Sequence, residues 1–155
     1  MQKYILGVDI GTTSTKAGLF SLNGEMFGFA QQGYPLFQDL NGMAEQDSEQ
    51  IYAAVLQVIA ELSAQVSPEQ IIALSFSSAM HSLIVLDQHQ QSLTRCITWA
   101  DNRAAAASQW LAAQPEAEEL YQRTGVPNHP MTPLAKIIWL RQEQAELFAQ
   151  AVYFI

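Results

Sequence analysis

The first third of the chain has the pattern of a small antiparallel sheet. Residues 3–10 form an apolar, β-rich run, and residues 16–20 form a second one. Residues 25–34 form a third, and the Asn23-Gly24 pair before it is the strongest short-range signal for a two-residue hairpin. Apolar runs of this length, rich in β-branched and aromatic residues, are typical of strands. The pattern therefore predicts a three-stranded antiparallel meander.

An amphipathic helix is predicted over residues 48–65, after a loop at residues 35–46. Asp47 stands three residues before Gln50, which resembles a capping box with Asp as the N-cap residue. Apolar residues then recur at the spacing of one helical face. They are Ile51, Val55, Val58, Ile59 and Leu62. We expect this face to pack on the meander.

The rest of the chain is predicted to mix short strands with helices. Residues 71–77 form a continuous apolar run, of the kind that is buried on both faces of a sheet. Thr132-Pro133 supplies an N-cap and a first-turn proline for a later helix. The further strands are predicted at residues 82–87, 95–99 and 151–155, and the helices at residues 104–111, 116–123 and 133–142. The final strand is unusual, because a buried strand needs neighbours on both sides.

Composition and charge exclude several classes of protein. With 155 residues, 49% of them hydrophobic, the chain is long enough for one domain with a sizeable core, and it is not a disordered tail. Lys and Arg number 7 against 15 Asp and Glu, which gives a net charge of −8. Nucleic-acid and membrane partners are not expected, since both rely on clustered cations. Backbone N–H groups can still bind a small phosphate whatever the net charge.

Cysteine usage and the N-terminus favour a cytoplasmic protein. Cys96 is the single cysteine, which permits no internal disulfide and no cysteine-based zinc site. The first apolar run is broken by Asp9 and is not a signal peptide. No stretch approaches the ~20 apolar residues that span a bilayer. We therefore expect a reducing, cytoplasmic environment, with Cys96 as a buried spectator thiol.

Residues 9–16 carry side chains suited to phosphate chemistry. Their sequence is Asp-Ile-Gly-Thr-Thr-Ser-Thr-Lys, a carboxylate at the end of a strand followed by a tight turn of small hydroxyl residues. The N–H groups and hydroxyls of such a turn can surround phosphate oxygens, and Gly11 permits close backbone approach. Asp9 can hold Mg²⁺ directly or through water, and Lys16 can reach the same anion or stay in solvent. A plain hairpin turn with a chance Asp is the alternative, and neither a Walker A loop nor a dinucleotide fingerprint is present.

Together with four further segments, this turn resembles the FGGY family of carbohydrate kinases, in the actin and Hsp70-type ATPase superfamily. Residues 9–16 resemble the family's first phosphate loop, and a meander followed by a helix resembles its ribonuclease-H-like domain. The other segments are a Glu-Gln-Asp run at 42–47, a Met-His turn at 78–82, a Trp-x-Asp-x-Arg segment at 98–103, and Thr124-Gly125 followed by 129–136. The last of these most resembles the gluconate kinase branch. Five motifs in order along the whole chain make the resemblance specific.

The resemblance implies an α/β, ribonuclease-H-like fold with a mixed sheet flanked by helices. It implies that residues 1–155 are the N-terminal part of the first, sugar-binding domain, an incomplete fragment that lacks the second, ATP-binding domain. The implied reaction transfers the γ-phosphoryl group of ATP, with Mg²⁺, to a sugar or sugar acid, above all D-gluconate to 6-phosphogluconate. ATP would bind in a cleft between the two domains. The family's catalytic base is an Asp expected beyond residue 155, so the isolated fragment is expected to be inactive.

The resemblance also assigns roles to individual side chains. For phosphate and Mg²⁺ they are Asp9, Gly11, Thr12, Thr13 and Lys16, with Asp9 as the metal ligand. For the substrate they are Met80, His81, Trp99, Asp101, Arg103 and His129. His81 would hydrogen-bond a hydroxyl, Trp99 would offer an apolar face, and Arg103 could pair with the carboxylate of gluconate.

Each of these assignments has a purely structural alternative. His81 could be a satisfied core histidine, Trp99 a packing residue, and Asp101 the N-cap of the following helix. Lys136 is either functional or a solvated side chain. His129 lies in a loop bracketed by prolines, where its backbone is stiff.

Other functions stay open at this point. Glycerol is disfavoured, because glycerol kinases of the family carry an Arg-Glu pair where Met80-His81 stands, but a pentulose substrate of the xylulokinase type remains open. A ribonuclease-H-like nuclease would use Asp9 and a second carboxylate to hold two metals, and the acidic charge argues against it. A non-catalytic, actin-type nucleotide-binding module would not need the sugar-site motifs. The oligomeric state is left open, a homodimer included.

Overall fold

The computed structural model describes all residues from 1 to 155. The chain divides into two compact units, which are described separately below. The first unit comprises Met1–Leu36 and Asp47–Ala79, and the second comprises Phe37–Gln46 and Met80–Ile155.

Nine strands and five helices make up the two units. The strands are β1 (Tyr4–Ile10), β2 (Ser14–Ser21), β3 (Met26–Gly33), β4 (Phe37–Gln38), β5 (Ala44–Gln46), β6 (Ile71–Ser78), β7 (Val85–Leu86), β8 (Cys96–Ile97) and β9 (Tyr153–Phe154). The helices are α1 (Ser48–Ser63), α2 (Ala105–Ala112), α3 (Ala117–Thr124), α4 (Pro133–Glu143) and α5 (Ala145–Gln150). A 3₁₀ turn at Pro68–Gln70 precedes β6. None of the helices is both long and apolar enough to cross a membrane.

The first unit is built on a four-stranded mixed sheet in the order β3-β2-β1-β6. The strands β1, β2 and β3 form the predicted meander, paired antiparallel, and β6 joins β1 in parallel. The β2–β3 hairpin turns at Asn23-Gly24, where the Gly24 N–H donates to the Ser21 carbonyl at 3.0 Å. The expected α/β fold with a mixed sheet and flanking helices is therefore confirmed.

Helix α1 covers one face of this sheet. Its N-cap is Asp47, whose Oδ1 accepts from the backbone N–H groups of Glu49 and Gln50, as the sequence predicts. The Gln50 side chain donates to the Asp47 carboxylate, and its Oε1 does not accept from the Asp47 backbone N–H, so the capping box is only half formed. The buried core between helix and sheet comprises Tyr4, Leu6, Val8, Ala17, Leu19, Ala30, Val55, Val58 and Leu62.

The prediction that residues 71–77 are buried on both faces is wrong. Strand β6 lies at the edge of the sheet and pairs with β1 on one side only. Most of its residues are exposed, Phe76 to 55%. The apolar run identifies a strand correctly, but the burial of a strand depends on neighbours that the run itself does not reveal.

The second unit holds two small sheets and the remaining helices. One sheet has the order β4-β5-β8, and the other pairs β7 with β9, all antiparallel. Leu83, Val85, Ile97 and Leu140 form its core. The expected loop at residues 35–46 is therefore corrected, because it contains β4 and β5. These strands are too short to show a periodic pattern, and pairing with β8 defines them.

Other elements of the second unit agree with the sequence in type but not always in extent. The strands predicted at 82–87 and 95–99 shrink to two residues each, with isolated bridges between Leu83 and Ile97 and between Leu86 and Ser92. Helix α4 starts at the predicted N-cap, where the Thr132 hydroxyl accepts from the Ala135 N–H. Helix α5 was not predicted. The final strand exists as β9 and pairs with β7.

Candidate functional site

The turn between β1 and β2 is closed by the backbone and has little spare room. The Gly11 N–H donates to the Ser14 carbonyl at 3.0 Å, and a Cβ at Gly11 would lie 3.1 Å from that same oxygen. A side chain there would therefore push against the backbone that closes the turn. Asp9 and Lys16 are directly opposite each other on β1 and β2, and both are exposed. Opposite charges thus flank the entrance of a tight, hydroxyl-rich turn.

Tyr34 braces this turn with two hydrogen bonds, and the sequence pattern did not single it out. Its hydroxyl donates to the Gly11 carbonyl at 2.6 Å, and its backbone N–H donates to the Thr13 carbonyl at 3.2 Å. It also lies 3.4 Å from the hydroxyl of Thr15, which is fully buried. The only available signal was an aromatic residue just past the third strand, which is too common a pattern to point to a site.

In the second unit, two of the sequence motifs are joined by hydrogen bonds between residues 42–45 and 98–103. The Thr98 N–H and hydroxyl both donate to the Ala44 carbonyl, and the Ala44 N–H donates to Asp101 Oδ2 at 2.9 Å. The Asn102 N–H donates to the Gly42 carbonyl at 2.8 Å. Gly42 has φ +89°, and a Cβ there would lie 3.3 Å from the Asn102 side chain, so the close approach needs glycine.

Arg103 is the centre of a charged network in this unit. Its Nε and Nη2 donate to Asp101, and Nη2 also donates to Glu45 Oε1 at 2.5 Å. The guanidinium lies over the Trp139 ring, 4.6 Å from its centroid. Burial alone would lower the pKa of Arg103, but the hydrogen bonds to Asp101 and Glu45 raise it above its usual range. The arginine stays charged, and its Nη1 makes no hydrogen bond within the chain.

Asp101 itself is almost fully enclosed. Its side chain is 1% exposed, and its two oxygens accept from the N–H groups of Ala44 and Arg103 as well as from the guanidinium. The carboxylate therefore ties the backbone at Ala44 to the backbone at Arg103, and it fixes the direction of the Arg103 side chain. The alternative that Asp101 is the N-cap of the following helix is wrong, because α2 begins at Ala105 with Ala104 as its N-cap, and the Arg103 N–H that Asp101 accepts from lies before the helix.

A buried lysine lies behind the Met-His turn. Lys136, on α4, is fully buried, and its Nζ donates to the carbonyl oxygens of His81 at 2.5 Å and Met131 at 2.8 Å. Burial lowers the pKa of Lys136 to about 8, against the opposing influence of Asp101. The reading of Lys136 as a solvated side chain is corrected, because α4 turns it inward.

The other predicted substrate residues are more exposed than Asp101. Met80, Trp99 and His129 are exposed, while His81 is partly buried and has the left-handed backbone φ of +64°. All six predicted substrate residues belong to the second unit, and the five predicted phosphate residues belong to the first. Cys96 is buried as expected, and burial raises the pKa of its thiol. Glu45 was noticed only as part of a motif, and its pairing with Arg103, 58 residues away, has no local signal.

The chain contains no group of three or more His, Cys, Asp or Glu side chains that could hold a metal ion. Asp9, at the end of β1 beside the predicted phosphate turn, is a single, exposed carboxylate. Mg²⁺ commonly binds through one or two carboxylates together with waters and substrate phosphates. The donor set at the turn therefore fits a magnesium ion that arrives with a nucleotide, and it does not fit a metal held by the protein alone.

Comparisons with known proteins agree with this arrangement. The profile described as the FGGY family of carbohydrate kinases, N-terminal domain, matches residues 4–155. The gluconokinase of Bacillus subtilis (strain 168) is 45% identical over 155 residues, which are 100% of this chain and 30% of that protein. The crystal structure of gluconate kinase from Lactobacillus acidophilus superposes with a TM-score of 0.92 at 42% identity, covering 100% of this chain and 31% of that one.

A ligand-bound xylulose kinase from Lactobacillus acidophilus is similar to almost the same degree. Its TM-score is 0.91 at 42% identity, covering 98% of this chain and 31% of that one. The chain thus spans about 30% of the length of the relatives that it matches. The profile match extends over nearly the whole sequence and includes every motif described above. The chain therefore belongs to the FGGY family of carbohydrate kinases, as part of its N-terminal domain.

Proposed function

We propose that the protein carrying this domain transfers the γ-phosphoryl group of ATP to a hydroxyl of a sugar acid, D-gluconate above all, to give 6-phosphogluconate. The observation that carries the proposal is the 45% identity with a gluconokinase over all 155 residues of this chain. Within that activity, residues 1–155 supply a phosphate turn and the walls of an acceptor site. The catalytic base and the adenosine site belong to other parts of the enzyme.

On the phosphate side, the proposed ligands are those of the β1–β2 turn. Gly11, Thr12 and Thr13 would present N–H and hydroxyl groups to phosphate oxygens, and Lys16 would add a positive charge. Asp9 would hold Mg²⁺ beside them, and the ion would neutralise phosphate charge during transfer. The brace from Tyr34 keeps the turn in one shape, so that the donors need not reorganise when the phosphates bind.

On the acceptor side, the proposed contacts are spread over the second unit. Met80, His81, Trp99 and His129 would surround the polyol, with ring nitrogens on hydroxyls and apolar faces on C–H groups. Asp101 would contribute by holding Arg103, since its carboxylate is already enclosed. Such positioning is the main source of rate in phosphoryl transfer, because little covalent chemistry falls to the protein.

Arg103 is the residue proposed to bind the carboxylate of gluconate. A guanidinium has five N–H donors, and Glu45 and Asp101 occupy those of Nε and Nη2. The two donors of Nη1 are left for a ligand, and 22% of the side chain is exposed. The two bound carboxylates give the trio a net charge of −1, which weakens the attraction for an anion. The proposal therefore rests on directed hydrogen bonds and not on bulk positive charge.

A pentulose is the second candidate substrate. It is favoured by one observation, the 42% identity with a protein described as a xylulose kinase. The Met-His turn is compatible with either acceptor, since neither side chain needs a carboxylate partner.

The deciding experiment measures kcat/KM of the full-length enzyme for gluconate and for xylulose, with ADP release coupled to NADH oxidation. We expect gluconate to be preferred, and a preference for xylulose would overturn the substrate assignment. Arg103→Gln in the same enzyme should lower kcat/KM for gluconate more than it lowers kcat/KM for xylulose. An unchanged ratio of the two would remove the proposed role of Arg103.

Residues 1–155 alone are proposed to have no kinase turnover, because the base and the adenosine site are supplied elsewhere. Steady ADP production from gluconate and ATP by the purified chain would contradict this. A cytoplasmic location fits the need for ATP and the reduced Cys96. A homodimer is the proposed oligomeric state, and analytical ultracentrifugation of the full-length enzyme would test it.

A further inference from the structure

Lys136 makes two hydrogen bonds that join separate parts of the second unit. Its Nζ donates to the His81 carbonyl, 55 residues earlier in the chain, and to the Met131 carbonyl, two residues before its own helix begins. His81 and His129 are proposed acceptor contacts, and Met131 lies two residues after His129. One buried ammonium group therefore connects the two loops on which these contacts are carried.

The backbone at His81 needs such support. Its φ of +64° is in the left-handed region, which is unfavourable for a residue with a side chain. The structure holds the residue in this conformation with its carbonyl directed at Lys136 Nζ. Non-glycine residues in disfavoured regions persist only where their surroundings determine them, and they concentrate at ligand sites.

Lys136 is not explained by an ion pair. It is fully buried, yet its nitrogen binds two neutral carbonyls and takes part in no salt bridge. The titratable groups whose charges act on it are Asp101 and Arg103, just before α2, and Cys96 on β8. An apolar side chain of similar length would fill the same space without the cost of burying a charge. The role of the cation therefore lies in its hydrogen bonds to the His81 and Met131 carbonyls.

We propose that Lys136 is a positioning residue, which fixes the backbone at His81 and Met131 and so sets the geometry of the two loops that face the acceptor. This rests on the proposed function, since it assigns the lysine to the acceptor side of the kinase. Lys136 does not touch the substrate in this account. It acts through the two carbonyl oxygens.

The test compares Lys136→Met with Lys3→Met in the full-length enzyme. Lys3 is a matched control, because its Nζ also donates to a backbone carbonyl, that of Glu69, but at the exposed surface of the first unit. Hydrogen exchange by mass spectrometry is measured on the segments 79–83 and 129–133. We expect exchange to rise about tenfold in both segments in Lys136→Met, with β1–β3 unchanged, and to stay at the wild-type rate in Lys3→Met.

Kinetics give a readout that a merely structural role would not move. In Lys136→Met, the KM for gluconate should rise about tenfold while the KM for ATP stays within about twofold. A structural role would lower the active fraction and leave both KM values unchanged. The KM for gluconate in wild type should also rise above about pH 8, because a neutral amine donates to the two carbonyls more weakly than an ammonium does, and this rise should be absent in Lys136→Met.

Unchanged exchange in the two segments, or an unchanged KM for gluconate, would overturn the proposal. If Lys136→Met does not fold, the same measurements on Lys136→Leu, a shorter apolar side chain that also lacks a donor, decide in its place. If the wild-type enzyme phosphorylates neither gluconate nor xylulose, the proposed function fails. The exchange result then still decides whether Lys136 holds the two loops.

Discussion

Replacing Arg103 by Gln removes the cation that Glu45 and Asp101 share. Asp101 is 1% exposed and would lose its guanidinium donors, keeping only the backbone N–H groups of Ala44 and Arg103. Removing one partner of a buried pair typically costs about 3–5 kcal/mol. Because two backbone donors remain, we expect the lower end of that range, about 3 kcal/mol. The Glu45 side chain is 15% exposed and partly hydrated, so the loss of its ion pair with Arg103 adds little to the cost.

The assay is urea unfolding of the 155-residue chain followed by tryptophan fluorescence. All three tryptophans of the chain, Trp99, Trp110 and Trp139, belong to the second unit, so the signal reports on the unit that contains the network. For a denaturant slope of about 2 kcal/mol/M, the expected loss lowers the midpoint by roughly 1.5 M.

A matched control separates this effect from the loss of any arginine. Arg123 also pairs with a glutamate, Glu119, at 3.4 Å on the surface of α3, where both side chains are more than two-thirds exposed. Arg123→Gln should change stability by less than about 0.5 kcal/mol. An Arg103→Gln effect as small as that would refute the reasoning, because Asp101 would then be shown to need no cation.

Three further predictions concern the phosphate turn and Lys136. Gly11→Ala should raise the KM for ATP of the full-length enzyme about tenfold and leave the KM for gluconate unchanged, because a Cβ would lie 3.1 Å from the Ser14 carbonyl. Tyr34→Phe, which removes one 2.6 Å hydrogen bond in the first unit, should cost about 1 kcal/mol in urea unfolding followed by far-ultraviolet circular dichroism, and should raise the KM for ATP; an unchanged KM would separate the brace from phosphate binding. Lys136 has a pKa of about 8 when folded and 10.5 ordinarily, so the unfolded chain binds more protons between these values. The stability of wild type relative to Lys136→Met should therefore rise with pH from about 8 to 10.5, by up to ~3 kcal/mol, and a flat difference in urea unfolding would contradict it.

Local patterns predicted much of this fold. The helical spacing after Asp47 gave α1 and its N-cap, and Asn23-Gly24 gave the β2–β3 hairpin, because each signal lies within a few residues of the structure that it specifies. Thr132 at the start of α4 is a third case. Where one turn or one helix face decides the outcome, the sequence is sufficient.

Contacts between distant residues could not be predicted in this way. The apolar run of β6 is the same whether the strand lies inside a sheet or at its edge, and only the pairing partners differ. Lys136 looks like a surface residue until α4 is placed against the His81 turn. Glu45 and Arg103 were each part of a motif, but their ion pair depends on how two loops meet. Family resemblance predicted which segments form the candidate site, and the structure supplied the contacts within them.

The edge position of β6 has a practical consequence for handling the 155-residue chain. Ile71–Ser78 has no charged residue and no proline, the two features that commonly protect edge strands from pairing with other molecules. Its second row of N–H and C=O groups has no strand beside it, and its apolar side chains are exposed. Concentrated solutions of the chain should therefore self-associate through this strand. A lysine introduced at one of its exposed positions, such as Leu74, is the simplest way to keep the chain monomeric.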